Sequence, residues 1–279
     1  MNDAMNARLQ ILDIQVDPVS QQEAIERVGG FFSADGRVYT VLASNPEKNF
    51  SVPRDPVLLD LYTHADLLLP DGIGVVLAAR LLHGVRMARV PGSEFIFDIC
   101  RLCAETGRGV FVYGAKESVN KAAAEKLAAL IPNLDIVGRS NGYLPESQMP
   151  DLVRSINDSG AEALLVALGS PRQERWIARY AKDLRHVRVC QAVGGTLDTI
   201  AGTVRRAPPF WCGIHLEWFY RLISEPRRVR RQGVLPIFAL KVLWAAITRG
   251  RSSNYDGQRS YSPSDDSASA TPHLQKSDP

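Results

Sequence analysis

The sequence predicts an α/β fold: a largely parallel sheet with helices on both faces, followed by a helical C-terminal appendage. Two observations carry this expectation. Short β-branched and apolar runs alternate with segments of helical period, and Gly, Asn or Pro marks the turns between them. From about residue 205 the pattern changes to a basic stretch and then an apolar one.

In chain order, a strand is expected near 9–15 and a helix near 20–32. Apolar runs near 38–43 and 66–69 read as strands on either side of a helix near 56–65, and helical patterns follow near 73–83 and 93–106. Strands near 109–113 and 134–138 flank the clearest helix, 118–131, in which Ser118 is a candidate cap and Pro132 follows the end. A helix near 146–159 leads to a strand near 163–168, a helix near 173–182 leads to a strand near 187–193, and a last helix is expected near 214–224. This alternation is Rossmann-like.

The 279 residues are enough to bury a substantial core, and 45% hydrophobic with 23% charged residues is a globular composition. A net charge of +3 implies no partner by itself, and no nucleic-acid partner is expected. Four cysteines are too few for a disulfide scaffold. Cys100 and Cys103 form a C-x-x-C inside a predicted helix with no second pair, so helix packing is expected there and a zinc site is not. The first residues carry Asp3 and Asp13 and no apolar segment of signal-peptide length, which implies a cytoplasmic protein with reduced thiols.

Three regions are expected: an α/β core over 1–204, an appendage over 205–250 and a Ser-, Asp- and Pro-rich disordered tail over 251–279. Between Arg205 and Arg231 seven arginines (205, 206, 221, 227, 228, 230, 231) stand against only Glu217 and Glu225. The apolar stretch from Gly233 to Ile247 contains Pro236 and Lys241 and is shorter than the roughly 20 residues a spanning helix needs. An apolar helix after an arginine cluster, with Phe238 and Trp244 for the headgroup region, reads as an interfacial membrane element. A buried terminal helix or an oligomer contact is the alternative, and a homo-oligomer is left open.

In open α/β sheets ligands collect at the carboxyl ends of strands. The loops expected there are "ASNPEK", "PDGIG", "VYGAKES", "LGSPRQE" and "VGGTLDTIAG". Any one of them is equally an ordinary βα turn. Dinucleotide and P-loop fingerprints, G-x-S-x-G and H-E-x-x-H are absent from the sequence. The folded part has no D-x-D, so no metal and no cofactor is expected, and phosphate would be held by Arg, Lys and backbone dipoles.

Taken in order, "SNPEKN", "LLPDGIGVV", "RVPGSEF", "FVYGAKESV", "LLVALGSPRQERWI", "VGGTLDTIAGTVRRAP" and "HLEWFYRLISEPRRVRRQ" resemble the successive motifs of the WecG/TagA/CpsF glycosyltransferases, family 26. The resemblance runs from about residue 10 to about residue 245. It implies transfer of a sugar from a UDP-sugar to a polyprenyl-diphosphate-linked saccharide, with inversion and without a metal, at the cytoplasmic face of the membrane. N-acetylmannosamine is the donor sugar in the best-known members, and glucose or other sugars in relatives that build exopolysaccharide.

The resemblance makes Asp71 the candidate base that takes the proton from the acceptor hydroxyl; read locally, Asp71 caps the helix beginning near Ile73. Gly72 lies in the same turn. Asn45 is suited to orienting sugar hydroxyls. Some relatives carry a threonine where this chain has Ala43, which moves any hydroxyl role to Ser44 or removes it. Gln173 and Glu174 are placed to hold the donor sugar or ribose and Arg172 a phosphate, although Glu174 also reads as the charged first turn of an exposed helix. Gly194 and Gly195 would let backbone approach uridine or its phosphates, or serve close packing, and Asp198 would meet uracil or ribose. Gly114 opens a helix start suited to phosphate, with Lys116 beside it. Of the appendage arginines, Arg221 and Arg228 are expected to face the diphosphate, while Trp218 and Tyr220 pack the appendage. A non-catalytic UDP-sugar-binding protein at the membrane surface is the rival from another class.

Overall fold

The computed structural model describes residues 7–34, 36–204 and 233–256. The expected helix at 214–224, the arginine cluster, Cys212, Trp218, Tyr220 and the chain beyond residue 256 lie outside the described residues.

Six parallel strands form the sheet: β3 (Tyr39–Ser44), β4 (Leu67–Pro70), β5 (Val110–Gly114), β6 (Gly138–Ser140), β7 (Ala163–Ala167) and β8 (Val189–Ala192), in the order β4-β3-β8-β7-β5-β6. Strand residues alternate between two cores. Val41, Leu67, Leu69, Val110, Val112, Leu165 and Val189 point to one face. Leu42, Leu68, Phe111, Tyr113, Leu164, Val166 and Cys190 point to the other. Both faces are covered by helices, which is why the strands read as continuous apolar runs. The first face packs α1 (Gln21–Ser33), α5 (Gly92–Thr106), α6 (Glu117–Leu130) and the short α9 (Thr196–Ala201). The second packs α3 (Pro56–His64), α7 (Met149–Asp158) and α8 (Arg172–Tyr180). A four-residue α2 (Lys48–Ser51) follows β3.

The expected strand at 9–15 is two strands, β1 (Leu9–Ile11) and β2 (Ile14–Val16), paired antiparallel with Ile11 opposite Ile14. Leu12 turns the chain at φ 55°, a conformation its residue type does not announce. The hairpin is fastened to the sheet through Asp17, whose carboxylate accepts from the Leu68 amide at 2.7 Å and from Arg27 and Arg8 at 3.1 and 3.3 Å. Three further expectations shift. The sixth strand is the polar edge strand 138–140 in place of 134–138, α6 starts one residue before Ser118 with Lys116 at the N-cap position, and a 3₁₀ turn at Glu146–Gln148 precedes α7.

A third apolar cluster joins the hairpin (Ile11, Val16), α4 (Ile73–His83; Val75, Ala78, Ala79) and the C-terminal helix α10 (Leu235–Asp256; Phe238, Val242). α10 continues six residues into the segment expected to be a disordered tail. Among the described residues no helix is long and apolar enough to cross a membrane.

Gly114 ends β5 at φ +125°, and a Cβ there would lie 2.3 Å from the Ala167 carbonyl oxygen. That close approach lets β5 and β7 stay paired to their last residues, Gly114 opposite Ala167. Gly114→Ala is therefore expected to lower unfolding stability by about 2–4 kcal/mol from strain and overpacking, measured by urea denaturation.

Candidate active site

Adjacent strands β3 and β8 send the chain to opposite faces of the sheet: α3 contributes Leu58 and Tyr62 to one core, and α9 contributes Leu197 to the other. Such divergence opens a crevice at the strand ends. It holds a cavity of about 430 Å³, lined by the loops after β3 (Asn45–Lys48), β4 (Asp71–Gly74), β7 (Gly169, Ser170, Gln173, Glu174) and β8 (Val193–Thr196). Arg89, Pro91, Gly92 and Ser93 at the start of α5 add one wall, and Leu235, Phe238 and Ala239 of α10 add another.

Of the residues singled out in the sequence, Asp71, Gly72, Asn45, Gln173, Gly194 and Gly195 line this cavity. Asp71 is half-buried, and its amide is held by the Ser44 and Leu69 carbonyls at 3.0 and 2.8 Å. The N-cap position of α4 falls on Gly72, at φ 98°, so Asp71 precedes the cap instead of forming it. The Asn45 side-chain oxygen accepts from the Lys48 amide at 3.3 Å and closes the turn after β3. Gln173 is buried, and its Oε1 accepts from the Gly194 amide at 2.9 Å, tying the loop after β7 to the glycine pair. Glu174 is buried in the cavity wall, which corrects its alternative reading as part of an exposed turn.

Four expected site residues lie off the cavity wall. The fully buried Ser44 directs its hydroxyl to the Gln15 carbonyl at 2.8 Å, on the opposite side of β3 from Ala43, so it does not replace a hydroxyl at position 43. Arg172 turns back to donate to the Leu168 carbonyl at 2.9 and 3.2 Å. The Asp198 carbonyl accepts from Thr203 and Val204 and ends α9. Gly114 serves strand packing, as described above. Arg221 and Arg228 are outside the described residues.

Three cavity residues were not singled out. Lys48 is buried, forms an ion pair with Glu174 Oε1, donates to Ser170 Oγ at 2.7 Å and sits 5.4 Å from the Tyr62 ring centre. Tyr62 is buried, and its hydroxyl donates to the Ala43 carbonyl at 3.1 Å. Burial first, then the nearby Glu174 and Asp71 carboxylates, hold its phenol well above the usual value. Arg89 lines the same cavity with no ion pair among the described residues. Lys48 and Arg89 stand inside quoted motifs, "SNPEKN" and "RVPGSEF", and that position was the one signal for them. Among the described residues no three His, Cys, Asp or Glu side chains gather as a metal site.

A sequence model described as the glycosyl transferase WecG/TagA/CpsF family matches residues 9–252. The chain belongs to this family. An N-acetylglucosaminyldiphosphoundecaprenol N-acetyl-β-D-mannosaminyltransferase from Bacillus subtilis (strain 168) is 34% identical over 210 residues, covering 75% of this chain and 81% of the relative. A protein of the same description from Bacillus spizizenii is 33% identical over 203 residues, covering 73% and 78%. The family match spans every loop of the cavity and reaches α10, so this WecG/TagA/CpsF member carries its strand-end cavity within the shared region.

The Gln173 contact is testable without substrate. Gln173→Ala leaves the Gly194 amide without its acceptor and is expected to cost about 1 kcal/mol of stability, with faster hydrogen exchange confined to the loop after β8.

Proposed function

We propose that the protein transfers N-acetylmannosamine, or a closely related hexose, from its UDP-sugar to a polyprenyl-diphosphate-linked sugar, with inversion at the anomeric carbon. The observation that carries this reading is a carboxylate, Asp71, on the wall of a strand-end cavity in a chain similar to transferases named for that donor sugar and that lipid-linked acceptor.

Asp71 takes the proton from the acceptor hydroxyl as that oxygen's electron pair forms the bond to the anomeric carbon. The bond from that carbon to the diphosphate oxygen breaks, and its electrons leave with UDP. Arg89 and the positive end of α5 supply favourable potential for the departing diphosphate. Arg221 and Arg228 join them in this reading. Asn45 and Gln173 orient hydroxyls.

The acceptor brings the reaction to a membrane surface, and α10 is suited to it. Phe238 and Val242 pack inward on α4, while Ile237, Leu240, Leu243, Trp244 and Ile247 remain exposed, Leu240 at 67% and Trp244 at 71%. α4 itself exposes Leu77 and Leu81. An apolar helical face following a seven-arginine segment matches an anionic lipid surface. The enzyme is accordingly read as peripheral on the inner face of the plasma membrane.

Two measurements test this reading. Asp71→Asn should reduce UDP release from UDP-N-acetylmannosamine and a lipid-diphosphate acceptor by about 10²–10⁴-fold while donor affinity stays within threefold; turnover like that of the unchanged protein would remove Asp71 from the base role. Replacing Leu240 and Trp244 together by Gln should weaken co-sedimentation with anionic vesicles by about tenfold or more, given roughly 1.5 kcal/mol or more for each buried side chain. Undiminished sedimentation would place the lipid contact elsewhere.

A further inference from the structure

The cavity contains one ionic feature that the proposed chemistry does not use. Lys48 and Glu174, 126 positions apart in sequence, meet as a buried ion pair in the wall, with Glu174 only 1% exposed. A buried pair of this kind adds little to stability compared with apolar packing, so a role in the site is the more economical account. Its hydrogen bonding is lopsided. Lys48 has Glu174, Ser170 Oγ and the Tyr62 ring face as partners. Glu174 Oε1 accepts from Lys48 and, at 3.4 Å, from Gln173 Nε2, whereas its buried Oε2 has no partner among the described residues. A buried carboxylate oxygen with no partner is a ready acceptor for a donor group brought by a ligand.

We propose that Glu174 Oε2 accepts a hydrogen bond from a hydroxyl or acetamido N–H of the transferred hexose, with Lys48 as the positioning residue that aims the carboxylate. The inference rests on the UDP-sugar reading above. A carboxylate oxygen repels phosphate and selects a hydrogen-bond donor, so the diphosphate is excluded as its ligand. Among the donors, the hexose fits best because Glu174, Tyr62 and Asp71 line one cavity, which puts Glu174 on the same wall system as the base and the reacting carbon. Uridine would sit farther from that centre. The wall thus separates its tasks: carboxylates at the sugar, Arg89 for the leaving group.

The test uses the full chain, calorimetric binding of UDP and of UDP-N-acetylmannosamine, and the variants Glu174→Gln and Lys48→Met. Each variant should bind UDP within twofold of the unchanged protein and bind UDP-N-acetylmannosamine about tenfold more weakly, as loss of a charge-assisted hydrogen bond predicts. Equal weakening of both ligands, or of neither, would overturn the assignment. So would a loss seen only in KM for the lipid-linked acceptor, which would give the oxygen to the acceptor's sugar. A second arm needs no folded variant: the unchanged protein should lose about tenfold in affinity for one UDP-hexose of a series lacking single hydroxyl or acetamido groups. Binding of the whole series within threefold of the parent would also overturn it. If the unchanged protein binds UDP and no UDP-hexose, the donor reading itself fails, an outcome distinct from those that reject only Glu174.

Discussion

Neighbouring parallel strands that send their next segments to opposite faces of a sheet cannot both cover their own carboxyl ends. That constraint, at β3 and β8, is the one from which the site follows. The loop after β3 leads toward α3 and the loop after β8 into α9, and the crevice between them is enclosed by the loops after β4 and β7. The cavity residues from those segments therefore lie in turns or in the first turns of helices, where changes in sequence alter the chemistry without disturbing the core. The core is insulated from such changes by the alternation of strand residues between two separate apolar clusters.

The same alternation decides what each strand-end residue can do. Ala43 and Ser44 are consecutive, yet one contributes to the cavity and the other fastens β2 through its hydroxyl. A hydroxyl missing at position 43 cannot be restored from position 44, because a one-residue step reverses the face. Tyr62 occupies the space beside Ala43 and donates to its carbonyl. The phenol stays protonated because burial and two carboxylates all disfavour its anion, so it acts as a hydrogen-bonding wall and contributes no base of its own. Asp71 and Glu174 line the same cavity as Tyr62, with Glu174 committed to Lys48 through one oxygen.

Much of this was legible in the sequence, and the misses share physical causes. The apolar runs that became β3, β4, β5, β7 and β8 announced themselves because both faces of a covered parallel sheet must be apolar. The edge strand β6, "GRS", has no such requirement and overlaps its expected span only at Gly138. The hairpin was read as one strand because its turn uses Leu12, with no Gly, Asn or Pro to mark it. Loops were found where ordered motifs stood, which brought Asp71, Asn45, Gln173 and the glycine pair to one cavity. Direction within a loop was not legible: Arg172 curls back to its own chain while its neighbour Gln173 points inward, a choice fixed by the start of α8 and by the Gly194 amide. Least legible was the Lys48–Glu174 pair, since nothing local ties residues 126 positions apart.

α10 is where membrane attachment and chemistry would meet. Among its residues with described side chains only Phe238 and Val242 are buried, so its packing is worth about 3–6 kcal/mol before the cost of ordering the helix is subtracted. That is a weak hold for a 22-residue element. Yet Phe238 lines the cavity and lies 3.6 Å from where a Cβ on Gly74 would stand, in the first turn of α4 just after Asp71. The helix that presents Leu240 and Trp244 outward therefore also supplies, through Phe238, a wall of the cavity that Asp71 lines.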